Sequence, residues 1–140
     1  MNDDTSADNF AIQNLYSRYC FGLDQNNPDL FRDCFTDNGI FQVAERSFQG
    51  TEALRAIALA GASRHNYTNL WVKNIDGAKA QSAAYFFLLK LDDGTCSAYG
   101  HYEDDLARDA KRVWRFQHRR VIFLWQSEAY KARTAAIIKK

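Results

Sequence analysis

Residues 64–125, RHNYTNLWVKNIDGAKAQSAAYFFLLKLDDGTCSAYGHYEDDLARDAKRVWRFQHRRVIFLW, decide the fold class. They read as four extended runs separated by three turns. Asp76-Gly77 is a two-residue hairpin signal, because both residue types tolerate the positive φ that such turns demand. Asp92-Asp93-Gly94 marks a second, slightly longer turn, and Asp109-Ala110-Lys111 a third before the last strand. Successive strands joined by short turns make an antiparallel meander. The run at 83–91, AAYFFLLKL, is apolar at both parities and predicts a strand covered on both faces.

Upstream the period changes from two to 3.6. Ile12, Leu15, Tyr16, Tyr19 and Leu23 recur on one face of a helix over 8–24. In NNPDLFRDCF a second helix starts, with Asn27 of N-cap type, Pro28 suited to the first turn and Asp29 complementing the helix dipole. TDNG closes it, and residues 40–44 make a short strand. QGTEALRAIALAG gives a third helix, with Thr51 as the expected N-cap and Gly61 near its end. Residues 127–139 read as an Ala-rich, cationic C-terminal helix. Helices first and a meander after them predict an α+β domain with three N-terminal helices on one face of one sheet. A sheet curled around helices encloses an apolar hollow, a natural ligand site.

The 140 residues allow a single domain over 1–140, with 127–140 as a helical tail and no linker or repeat. With 46% hydrophobic and 14% aromatic residues and one proline, the chain is neither disordered nor fibrous. No stretch approaches the ~20 apolar residues of a membrane span, and the acidic opening MNDDTSADN lacks the features of a signal peptide. Cys20, Cys34 and Cys96, odd in number and widely spaced, argue against a disulfide framework and for a reducing, cytoplasmic setting. Residues 111–140 hold nine of the 18 basic side chains and one of the 17 acidic ones. That bias suits either a polyanion patch or cations paired with acidic surface elsewhere in the domain. Their interleaving with an apolar strand pattern favours the second, so no nucleic-acid partner is expected.

Three histidines without ligand spacing predict no metal site. Seven isolated glycines leave a nucleotide cofactor without a cradle, and no nucleophile motif supports covalent catalysis. No cofactor is expected.

The motifs AIQNLYSRYCFGLD, FTDNGIF, FQGTEAL, RHNYTNLWV, IDGAKA, GHYEDDL and VWRFQHR, in this order, resemble the SnoaL-like group of the NTF2-like superfamily over residues 8–126. The resemblance implies a cone: a strongly curved, mostly antiparallel sheet whose wide side is closed by the helices, with an apolar pocket inside. Within the group the chain is most similar to scytalone dehydratase, bile acid 7α-dehydratase and hexachlorocyclohexane dehydrochlorinase, which work with a His–Asp dyad and no cofactor. Carried over by motif, the dyad falls on His65 and Asp24, and Tyr19 matches a tyrosine five positions before the carboxylate. Arg119 matches an arginine on the last strand. A lysine that the dehydrochlorinase carries is Tyr19 here, and the first-strand aspartate of ketosteroid isomerases has no counterpart in GIFQVA.

A neutral histidine is the ordinary general base near neutral pH, provided a carboxylate holds one ring nitrogen protonated and supports the imidazolium. His65 is read as that base, Asp24 as its partner and Tyr19 as either a polarising phenol or a core residue. Arg119 shares the parity of Val121, Phe123 and Trp125; of an internal pair or an anionic or oxygen-rich ligand, it is read as a pocket residue that binds substrate. By analogy with the group, Phe41, Phe86, Leu88, Tyr102, Val121 and Phe123 line the hollow, while His101 and His118 have the opposite parity. Such a wall suits a small apolar ring compound, aromatic, terpenoid or steroid-like.

Two functions compete. One is a cofactor-free lyase, a dehydratase-type elimination or a related carbon–carbon cleavage or isomerisation. The other is a non-catalytic binding or assembly subunit, such as the small subunit of a ring-hydroxylating dioxygenase. The apolar VIFLW ending, with the habit of the resembling group, also predicts a homo-oligomer, trimer or dimer.

Overall fold

The computed structural model describes residues 5–59 and 61–138, so the outer ends of the expected domain and of its tail lie outside the described residues. Its elements are α1 (Ser6–Asp24), α2 (Pro28–Asp33), β1 (Phe35–Val43), β2 (Arg46–Gln49), α3 (Thr51–Ala58), β3 (Ser63–Asp76), β4 (Lys79–Lys90), β5 (Cys96–Arg108), β6 (Trp114–Gln126) and α4 (Glu128–Ile138). The six strands form one sheet in the order β2-β1-β6-β5-β4-β3. Every pairing is antiparallel except β1 with β6. The α+β reading and the four-strand meander hold.

The helices form where local chemistry predicts. Asn27 accepts from the Leu30 backbone N–H at 3.2 Å, with Pro28 in the first turn. The apolar stripe of α1 is buried from Ile12 to Leu23 and packs on the concave side of the sheet. Gly22 permits the close approach of α2, since a Cβ there would meet the Phe31 backbone N at 2.9 Å.

Four local expectations need correction. The residue preceding α3 is Gly50, with φ of 96°, so Thr51 is the first helical residue rather than the cap. The strand expected at 40–44 is β1, which begins at Phe35, and the unexpected β2 folds back on it with Phe48 opposite Phe41. The run 83–91 is covered on one face only: Ala84, Phe86 and Leu88 are buried, whereas Tyr85 is 60% exposed. Trp125 does not share the face of Val121 and Phe123; it stacks on Tyr99 on the outer face, with ring centroids 6.0 Å apart. The cause is a bulge, because Gly100 opposes Phe123 while Tyr99 opposes Trp125, so Leu124 is the extra residue. Gly100 makes it possible: a Cβ there would lie 1.9 Å from the Ile122 carbonyl oxygen. A second irregularity between Asp105 and Leu106 leaves Gln117 unpaired, and together these bend β5 and β6 into the curve that encloses the hollow.

Four of the nine basic side chains of the C-terminal segment pair with carboxylates of the domain. Arg115 pairs with Asp33 and Asp109, Arg119 with Asp104, Arg120 with Asp105 and Lys131 with Glu128. Among the described residues no helix is long and apolar enough to cross a membrane.

Candidate active site

The curved sheet, α1 and α4 enclose a cavity of about 630 Å³. Its wall includes Phe41, Phe86, Leu88, Tyr102, Val121 and Phe123 of the residues expected to contact substrate, but not Arg119, together with Tyr19 and His65. Ser63, Val43 and Phe48 add to it, and α4 closes one side with Tyr130, Arg133 and Thr134.

Asp24 is the last residue of α1, where a carboxylate meets the negative end of the helix dipole and no basic residue of the last turn relieves it. Its compensation comes from β3. The backbone N–H of His65 donates to Oδ1 at 3.0 Å and Oδ2 at 3.1 Å, and His65 Nδ1 lies 2.7 Å from Oδ1. A carboxylate only accepts, so this contact places the imidazole proton on Nδ1. Nε2 then carries the lone pair, and among the described residues no hydrogen bond engages it. Inward alternation along β3 points Ser63 and His65 into the hollow, with His65 opposite Leu88. The His65 side chain keeps 14% exposure and Asp24 8%, so the pair is shielded yet reachable from the cavity.

Tyr19 stands edge-on to His65, ring centroids 6.1 Å apart. Burial lifts its hydroxyl well above the ordinary phenol range, against the pull of Arg119. Tyr102 is lifted too, chiefly by burial. Burial thus keeps the Tyr19 hydroxyl protonated.

Arg119 does not touch the cavity. It is fully buried and paired with Asp104, with Nε 3.0 Å from Oδ1. Its guanidinium lies 3.6 Å from the Tyr102 ring centroid and 4.2 Å from those of Tyr19 and Phe116. Asp104 also accepts from the hydroxyls of Tyr16 and Ser82. The substrate-binding reading of Arg119 is thus corrected: Asp104, opposite it on β5, takes it into an internal pair beneath Tyr19 and Tyr102. Asp104 went unrecognised in the sequence, although its place two residues after Tyr102 on the same strand face is a signal for it.

The other titratable groups lie elsewhere. His118 contacts Gln42, and His101 faces Glu103, both away from the cavity wall. Burial pushes the Cys20 and Cys34 thiols up to about 12, which makes neither a nucleophile. No group of three His, Cys, Asp or Glu side chains suited to a metal occurs among the described residues.

A family model described as the SnoaL-like domain matches residues 4–120. Among curated proteins, none matches the sequence. A solved protein of unknown function from Mycobacterium tuberculosis is 25% identical, with 98% of this chain and 88% of that chain covered and a TM-score of 0.82. A hexachlorocyclohexane dehydrochlorinase from Novosphingobium barchaimii shares the fold at 18% identity, with 86% and 89% covered and a TM-score of 0.74. So does a protein provisionally described as a scytalone dehydratase from Novosphingobium aromaticivorans, at 16% identity, 91% of each chain and a TM-score of 0.77.

Proposed function

This chain belongs to the SnoaL-like domain family, and from that premise we propose that it is a cofactor-free lyase acting on a small apolar ring compound, with His65 as general base. The observation that carries the reading is the three-point hold of Asp24 on His65, which leaves Nε2 unengaged on the wall of a large apolar cavity. The fold shared with a dehydrochlorinase and a provisional dehydratase supports the reaction class.

His65 Nε2 takes a proton from a ring carbon, and the electron pair left behind forms the new double bond as a hydroxyl departs from the neighbouring carbon. Asp24 stabilises the imidazolium, which then returns its proton to the departing hydroxyl and releases water. Tyr19, whose proton burial holds in place, donates a hydrogen bond to an activating carbonyl or to the leaving oxygen. The apolar walls hold the reacting carbon against the base and exclude competing solvent. Retro-aldol cleavage or double-bond migration would use the same base and differ only in the bond that breaks. The exposed aromatic face of the sheet, with Trp71, Tyr85, Tyr99 and Trp125, supports self-association as a dimer or trimer.

The test is elimination and solvent-deuterium exchange across a panel of cyclic β-hydroxy ketones. His65→Ala should slow both by about 10² or more, and Asp24→Asn should be comparably severe. The double variant should be scarcely worse than either single one, as for residues acting as a unit. Tyr19→Phe should be milder. A folded His65→Ala protein with near-native rates removes the mechanism.

A further inference from the structure

We propose that Arg133, on the C-terminal helix, binds a carboxylate of the substrate, so that the ring compound carries an acid group as well as the carbon that His65 deprotonates. This rests on the lyase reading for the identity of the reacting carbon, but the carboxylate site itself stands on separate observations. Arg133 lines the cavity, and one of its terminal nitrogens donates to Ser63 Oγ at 3.1 Å. Its Nε is closed off from solvent and has no acceptor among the described residues, so the terminal nitrogens are the donors that a cavity ligand can reach. No carboxylate pairs with it among those residues; its remaining contact is the Tyr130 ring, 5.3 Å from the guanidinium carbon. A partly buried guanidinium that cannot lose its charge is costly without an anion.

The surroundings point to a single negative charge. Lys131 is neutralised by Glu128, and Arg46 and Glu45 at the mouth bring opposite charges. Arg133 thus has no ion-pair partner among the described residues, and a single guanidinium, with the Asp24 carboxylate also near the cavity, matches a monoanionic carboxylate better than a phosphate dianion. A planar carboxylate also fits the edge of a guanidinium with two parallel hydrogen bonds.

Ser63, which anchors Arg133, and His65 both face inward on β3 two residues apart, so Arg133 and the base border the same part of the cavity and one ligand can meet both.

The test uses calorimetric titration of the whole chain with two probes of one shape, naphthalene-2-carboxylate and naphthalene-2-carboxamide. The acid should bind at least about tenfold more tightly than the amide, the scale of one charge-assisted pair out of bulk water. Arg133→Gln should erase the preference while keeping the affinity for the amide, and Arg133→Lys should retain part of it. Arg46→Gln should leave it in place. His65→Ala should also preserve it, which separates this site from the base: loss of catalysis with intact discrimination supports the carboxylate site whatever becomes of the lyase reading. The proposal is overturned by a wild-type protein that does not prefer the acid, including one that binds neither probe. It is equally overturned if the preference survives in Arg133→Gln or disappears in Arg46→Gln instead.

Discussion

Asp104→Asn is expected to destabilise the protein by about 3–5 kcal/mol, the usual cost of removing one partner from a buried ion pair. Both side chains of the Asp104–Arg119 pair are wholly inaccessible to solvent. The guanidinium cannot shed its charge, so the substitution leaves a cation enclosed by Tyr16, Tyr19, Tyr102 and Phe116. Those rings attract it before and after the change, so their contribution largely cancels in the difference. Tyr16 and Ser82 lose an ionised acceptor as well. For a domain of this size the loss corresponds to a fall in Tm of roughly 10–15 °C.

Equilibrium unfolding in urea, followed by circular dichroism, measures the loss. The joint variant Asp104→Leu with Arg119→Met should be less destabilised than Asp104→Asn alone, because no orphaned charge remains. An Asp104→Asn protein within about 1 kcal/mol of the wild type, with an unchanged m-value, would refute the reasoning: the guanidinium would then have found water or another anion.

Asp24→Asn should give the opposite split, with activity falling by about 10² while stability stays within about 1 kcal/mol. The weaker contact with His65 is offset by removing a negative charge from the helix C-terminus, and denaturant melts beside rate assays check this. Gly100→Ala should cost at least about 2 kcal/mol, read as a lower melting temperature, because its Cβ would collide with the Ile122 carbonyl. Trp125→Glu with Tyr85→Glu should shift the protein toward single chains in light scattering without loss of secondary structure. A wild-type mass of one chain at micromolar concentration would remove the case for self-association.

Much of this was legible in the sequence because it is local. The 3.6 period of α1, the Asn27-Pro28 start of α2 and the Asp-Gly turns of the meander each act over a few residues, so composition and spacing suffice. The cavity wall was named through family likeness, because Phe86 and Leu88 lie in a run apolar at both parities whose local pattern does not choose a face. Asp24 and His65 were named only through family likeness, since 41 residues separate them and nothing in either local stretch demands the other.

Tertiary structure decided the rest. Whether Arg119 serves a ligand or an internal partner depends on Asp104 of the neighbouring strand, which β5–β6 register brings opposite it. Alternation assigns faces only while the count of two is unbroken, and the bulges at Gln117 and Leu124 break it twice in β6. Trp125 consequently turns outward although its parity from Val121 says inward. The docking of α4, and with it the entry of Arg133 into the cavity wall, is likewise invisible from an Ala-rich helix of mixed polarity. Side-chain period records which face a residue takes within its own element; which element covers that face depends on register, curvature and long-range packing, and these exist only once the chain has closed on itself.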